Sequence, residues 1–411
     1  MKRVLSLLLV VALVLVIVAP NQTDAKQTDF SWKVSEKNYY PENYTGYRYP
    51  VIPGTESWPY GNHQDMIDAC QITKEVCDGL STEELLQTVL AYPLIGDMLA
   101  YDDWNIGYNA VKRRFMGLQE LEKRSDVKEL ITAYVNNYQD EDNPVNAHIT
   151  DSEKKRTAIA ATEEDYIKSR HIITRIVLGI LQVQMNISDT GKTQCDNDSS
   201  EHTFLRVEPV SFYRLSPAYH GMLLIGQNTI TTLKNHSMTG YIYDAMEDWW
   251  LSDNTLATIQ LQDLSYDACV AINTANYTDY GLIPIDSPSV KYNCHSYAWH
   301  ARNNCYYWVT EFNTTGYSIR TMQNVAIDGN AVYCSSYGNG SGGVSGYTHS
   351  AVVQSKVYEL PPNNSTVKTL YLKSKWGMSG LYQHFLENCP YYEIYQIPMT
   401  TPQPCDMVYY D

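Results

Sequence analysis

Residues 291–299 read Lys-Tyr-Asn-Cys-His-Ser-Tyr-Ala-Trp, and Cys294 within them has the setting of a nucleophile. A cysteine opening a helix meets backbone N–H groups with no intrahelical partner and the positive end of the helix dipole. Both favour a thiolate over a thiol. The pattern places such a helix from Cys294 toward Trp308. A thiolate nucleophile needs a base, and Thr348-His349-Ser350-Ala-Val-Val353 supplies a histidine at the head of an apolar strand. An imidazole there can face a cleft while its strand is anchored in a sheet. The expected chemistry is attack of the Cys294 sulfur on a carbonyl, with His349 moving the proton.

Other polar residues fall where such a reaction needs help. Ser374 and Lys375, in Tyr371-Leu-Lys-Ser-Lys-Trp-Gly377, lie on the strand after the histidine, and His384 follows in the next turn. Any of the three could orient the imidazole. Asn293, Tyr292, His295 and Trp376 are candidates for the oxyanion site or for contact with substrate, beside backbone N–H groups near Cys294. His295, His300 and His384 together with Cys294 match no zinc-ligand spacing, so neither a metal nor another cofactor is expected. The plain alternatives are that Cys294 is half of a disulfide, with Cys305 the nearest competitor, and that His349 is a satisfied histidine at a sheet edge.

This constellation resembles the NlpC-type, papain-like cell-wall cysteine peptidases and their relatives the CHAP amidases. The likeness rests on an aromatic–Asn–Cys helix start, on a histidine about 55 residues later opening a His-small-small-Val-Val strand, and on Asp328-Gly-Asn-Ala-Val-Tyr333 before it. That last segment carries Gly and Asp in reversed order, and His295 stands where many of these enzymes have Ser. The resemblance covers roughly residues 286–398. It implies a papain-like domain, with a nucleophile-bearing helix packed on an antiparallel sheet, and hydrolysis of amide bonds in peptidoglycan stem peptides. It also implies a third polar residue behind the histidine.

The rest of the chain must carry and position this domain. Lys2 and Arg3, the apolar run Val4–Val18 and small residues up to Ala25 have the order of a secretory signal, cut after Ala25. That predicts a secreted, extracellular protein with no stable membrane insertion after cleavage. Residues 26–60, rich in Tyr, Trp and Pro, read as an extended lead-in. Residues 61–190 read as helical, with a capping box at Ser81 and Glu84 and further helices starting near Ser125 and Thr162. The polar stretch Asn186–Glu201 marks a boundary, residues 191–285 a mixed connecting region, and residues 286–411 the catalytic-type domain. Helices followed by strands give an α+β class.

The formal charge of −16 argues against nucleic acid as a partner, because phosphate contacts need cationic groups. Nine cysteines in an exported chain predict disulfides with one thiol left over, and Cys70 and Cys77 are spaced to staple a local turn. The sequons at Asn43, Asn276 and Asn339 matter only in a glycosylating host. Three functional readings follow: a Cys-His hydrolase acting on peptide or peptidoglycan, an acyl transferase using the same pair, and a catalytically inactive surface or binding protein with a peptidase-like domain.

Overall fold

Short helices dominate the first part of the chain, and Asn62, Thr73 and Ser81 each hold the first turn of one of them. The computed structural model describes residues 33–140, 162–185, most of 224–335, 346–359, 366–394 and 403–411, a few single positions inside these excepted. The signal segment 1–25, the boundary at Asn186–Glu201, the strand-like run Thr203–Tyr213, Cys195 and Asn339 lie outside the described residues. Helix α1 spans Glu36–Tyr39, α2 His63–Ala69, α3 Lys74–Gly79, α4 Thr82–Leu90, α5 Trp104–Arg114, α6 Met116–Leu121, α7 Val127–Asp140, α8 Glu163–Gln184 and α9 Tyr266–Tyr280. At α4 the expected capping box is formed: Ser81 Oγ accepts from the Glu84 N–H, and the Glu84 carboxylate accepts from the Ser81 N–H. Thr162 caps the start of α8 in the same way, accepting from the Asp165 N–H at 3.2 Å.

Two small hairpins lie between α8 and α9. One pairs β1 (Leu224–Thr231) with β2 (Ser237–Tyr243), the other β3 (Met246–Trp250) with β4 (Leu256–Gln260). The C-terminal sheet has seven antiparallel strands in the order β5-β10-β9-β8-β7-β13-β6. They are β5 (Ile283–Asp286), β6 (Ile319–Arg320), β7 (Asn330–Ser335), β8 (Gly346–Tyr358), β9 (Val367–Lys375), β10 (Leu381–Phe385) and β13 (Asp406–Tyr410). The short strands β11 (Glu393–Ile394) and β12 (Gln403–Pro404) pair with each other. The run β7-β8-β9 is the one that the residues rich in Val, Tyr and Leu predict, while His384, expected in the turn after it, lies on strand β10 paired with β9.

Side-chain alternation sorts the sheet into two faces. Ala331, Tyr333, Ala351, Val353, Leu370 and Leu372 share one apolar core with the helices. Val332, Cys334, Val352 and Leu381 face the other way, onto Tyr297, Trp299 and Val309 and onto Ile230 and Met238 of the β1–β2 hairpin. Residues 32–411 are one unit, and the helical layer buries its side chains directly against the sheet. The class is therefore α+β, with helices and an antiparallel sheet sharing a core.

Two local expectations are corrected. The helix at Cys294 does not run to Trp308. It is one wide turn over residues 294–300, with a π-helical stretch Ser296–His300, and the chain is extended at Ala301. The following Arg302-Asn-Asn segment has little reason to stay helical, since Asn competes for backbone hydrogen bonds. Cys70 and Cys77 are not linked: both are buried and neither takes part in a disulfide, and the same holds for Cys294 and Cys305. The Cys70 thiol turns back into its own helix and donates to the Met66 carbonyl at 3.0 Å. That direction leads away from a bridge.

Candidate functional site

Asn293 builds the turn that carries Cys294. Its side-chain oxygen accepts from the Ser296 N–H at 3.1 Å, which makes it the N-cap, and also from the Val309 N–H at 3.2 Å. Its amide nitrogen donates to the Val309 carbonyl at 2.9 Å and to Asp102 Oδ2 at 3.2 Å. An amide so fully engaged serves as the frame of the site and has no donor to spare for an oxyanion. Tyr292 is similarly tied, donating to Asp286 Oδ2 at 3.3 Å. Asp102, from the loop before α5, reaches this point across 191 residues.

His349 lies on β8 opposite Tyr333 of β7, with its ring on the helical face of the sheet. Next to it, Ser350 points to the opposite face. There its hydroxyl accepts from Trp299 Nε1 at 3.0 Å and shares a hydrogen bond with His295 Nδ1 at 2.8 Å. The residue after the cysteine is thus bonded to the residue after the histidine, which ties the Cys294 turn to the head of β8. The backbone N–H groups of Ser350 and His295 face the Cys294 sulfur. These are the donors placed to receive charge on or near it.

Neither Cys294 nor His349 is exposed to solvent at all. Both ring nitrogens of His349 are buried with no hydrogen-bond partner. The ring lies flat against Tyr391, centroids 4.3 Å apart and planes 11° apart. Cys294, Asp102 and Cys389 are near enough to the Tyr391 phenol to perturb its ionisation, so all gather at this point. No hydrogen bond joins Cys294 to His349, since the imidazole has none.

The electrostatics reverse the expected thiolate. Burial pushes the Cys294 thiol well above its ordinary range and the Asp102 carboxylate adds to this, while the two backbone N–H groups only oppose them. A turn this short has too small a dipole to offset the loss of solvent. Burial likewise holds His349 well below the usual imidazole range, helped by His384, His295 and Lys375. At rest the thiol and the imidazole are therefore both neutral.

The candidates for a third residue lie elsewhere. His384 Nδ1 faces the Phe385 carbonyl at 2.8 Å and so carries the proton. Its Nε2 then accepts from Ser374 Oγ at 2.7 Å, and Ser374 in turn accepts from Trp376 Nε1 at 3.1 Å. This chain of three is closed on itself and does not reach His349. Lys375 is fully buried and donates to the carbonyls of Ser289 at 2.8 Å, of Ser379 at 2.6 Å and of Gly377, with its ammonium 5.2 Å from the Tyr292 ring centre. It clamps the segment leading into Cys294 to the turn after β9. Cys305 donates to the Ala301 carbonyl at 2.8 Å, and His300 Nδ1 meets the Thr231 carbonyl at 2.6 Å. Among the described residues no three His, Cys, Asp or Glu side chains gather as a metal site. No described helix is long and apolar enough to cross a membrane.

Asp102 and Tyr391 are the members of this cluster that sequence reading misses. Neither sits in a motif. Tyr391 is one of 35 tyrosines, and Asp102 meets the site only through tertiary packing.

These buried histidines set an acid limit on stability. His295 and His384 are both pushed down by burial from 6.5 to about 4, and burial lowers His349 as well. Below about pH 6.5 the unfolded chain binds protons that the folded chain refuses. The stabilisation is therefore complete above that pH and is lost as pH falls toward 4. The slope is about 1.4 kcal/mol per pH unit for each histidine. Asp279, raised by burial from 3.8 to about 6, works in the opposite sense over the same window and offsets one of them. Urea midpoints are expected to fall steeply between about pH 6.5 and 4.5; a flat profile there would show that these rings are hydrated.

The geometry defines a class, an α+β protein whose helical layer and seven-stranded antiparallel sheet enclose a thiol and an unpaired imidazole. Comparison of the chain with family models, with characterised proteins and with solved structures gives no match.

Proposed function

We propose that this protein is a secreted cysteine hydrolase of amide bonds, with Cys294 as nucleophile and His349 as base. The observation that carries this reading is the buried His349 imidazole with two unpartnered nitrogens, held on the strand whose Ser350 N–H faces the Cys294 sulfur. An unpaired buried polar group costs about 1–3 kcal/mol, and a ring retained at that cost has a use that packing does not supply. The papain-like resemblance of residues 286–398 supports peptidoglycan stem peptides as the substrate class.

In this reading His349 takes the Cys294 proton as the sulfur adds to the carbonyl. The N–H groups of Ser350 and His295 receive the developing charge. The imidazolium then protonates the leaving amine, and water, deprotonated by His349, hydrolyses the acyl-enzyme. An amine acceptor in place of that water makes the same pair an acyl transferase. Complete burial of Cys294 and its raised pKa favour a second reading, a binding protein with an inert peptidase-like domain.

The test is release of soluble fragments and new amino groups from purified peptidoglycan by the full chain and by Cys294→Ala. The expected result is turnover by the wild type that falls to background in the variant while its circular dichroism is unchanged. Equal release by both proteins refutes the mechanism, and no release by either supports the binding reading. Products joined to an added amine would assign the transferase.

A further inference from the structure

An enzyme whose nucleophile and base are both sealed from solvent needs a part that moves. Two short 3₁₀ turns follow β10, Leu386–Asn388 and Pro390–Tyr392, and the second lays the Tyr391 ring on His349. Tyr391 keeps 7% of its surface in solvent, whereas His349 and Cys294 keep none. The Tyr391 ring, itself nearly buried, covers one face of the imidazole.

The two turns are held differently. The first is fixed from three sides. Tyr333 Oη donates to the Leu386 carbonyl at 3.2 Å, Thr369 Oγ1 to Glu387 Oε2 at 2.6 Å and Asn388 Nδ2 to the Tyr280 carbonyl at 2.7 Å. The second carries the ring and is held from the helical layer by Tyr101. That phenol donates to the Pro390 carbonyl at 2.9 Å, and its ring lies 4.4 Å from Tyr391. Cys389 joins the fixed turn to the other, and the Tyr392 N–H bonds back to its carbonyl at 2.9 Å.

We propose that the Pro390–Tyr392 turn is a plug over the thiol site, latched by Tyr101, and that substrate reaches Cys294 and His349 only when Tyr391 swings out about Cys389. A stacked ring is well suited to this. It covers a neutral imidazole on one face without satisfying either nitrogen, so the closed state shields the base and leaves it ready. Tyr101 contributes a hydrogen bond and a ring contact to that hold, and substrate binding energy must replace both for the turn to open. This inference takes its purpose from the hydrolase reading, but its test needs no turnover.

The experiment is a timed pulse of N-ethylmaleimide on the native full chain, with labelling of each cysteine read by peptide mass spectrometry. In the wild type, Cys294 is expected to react at least about tenfold more slowly than a thiol in an unfolded peptide. Tyr391→Ala is expected to speed Cys294 about tenfold or more while Cys70 and Cys269, buried elsewhere, keep their wild-type rates. Tyr391→Phe is expected to stay slow. Tyr101→Phe, which removes only the latch hydroxyl, carries the test if Tyr391→Ala does not fold, and is expected to speed Cys294 about threefold. A wild-type Cys294 that already labels like a free thiol would overturn the plug. So would unchanged Cys294 rates in both variants, or equal acceleration of all three cysteines.

Discussion

His349→Leu is expected to lower turnover by about 10²–10⁴ fold and at the same time to raise the stability of the fold by about 1–2 kcal/mol. The two effects have one origin. Leucine has nearly the volume of histidine, and no hydrogen bond is lost because the ring makes none. Removing two unpaired buried nitrogens relieves their desolvation, less what the stacking on Tyr391 contributes. A gain in stability with a loss of activity is what a residue kept for chemistry shows. Urea unfolding at pH 7 alongside the peptidoglycan assay checks both halves. A stability loss of about 2 kcal/mol or more would make His349 a packing residue and remove the base.

Lys375→Met is expected to be among the most damaging single changes outside the pair, at about 3–5 kcal/mol. Its ammonium lies in a cage of three carbonyls with no exposure, and methionine has similar length but no donor. Three buried carbonyls would lose their partner together. Because the cage ties Ser289 to the turn at Gly377 and Ser379, the loosened segment is the one that leads into Asn293 and Cys294. Thermal unfolding of the variant should show the loss, and its residual activity at low temperature should fall further than its folded fraction accounts for. Wild-type stability would mean that solvent reaches the cage.

Much of this layout is legible in the chain because it is written locally. Ser81 and Glu84 are three residues apart, and their reciprocal bonds follow from that spacing. The alternating residues of β7, β8 and β9 give strands because one face must meet the helices and the other the hairpin. The Cys294 turn was legible at its start and not at its end. Asn293 fixes the first N–H groups, but its bonds to both backbone groups of Val309 require the chain to fold back, and the turn stops at His300.

What could not be read is what distant segments bring. Burial reverses the expected pKa of Cys294, and the sequence around it carries the right residues for a lowered one. The partners assigned to His349 by position, Ser374, Lys375 and His384, satisfy one another or nearby carbonyls. Its actual neighbour, Tyr391, comes from a turn that has no periodicity to betray it. Asp102 joins the site through a bond spanning 191 residues. Such contacts depend on the completed core.

Acid-quenching the wild-type protein during turnover of a stem-peptide substrate and mapping the covalent adduct decides whether the Cys294 sulfur bonds to substrate. An acyl thioester is expected on the peptide containing Cys294, accumulating in His349→Leu if acylation still proceeds slowly and absent from Cys294→Ala. Substrate consumed with no adduct, or with the adduct on another cysteine, would contradict it.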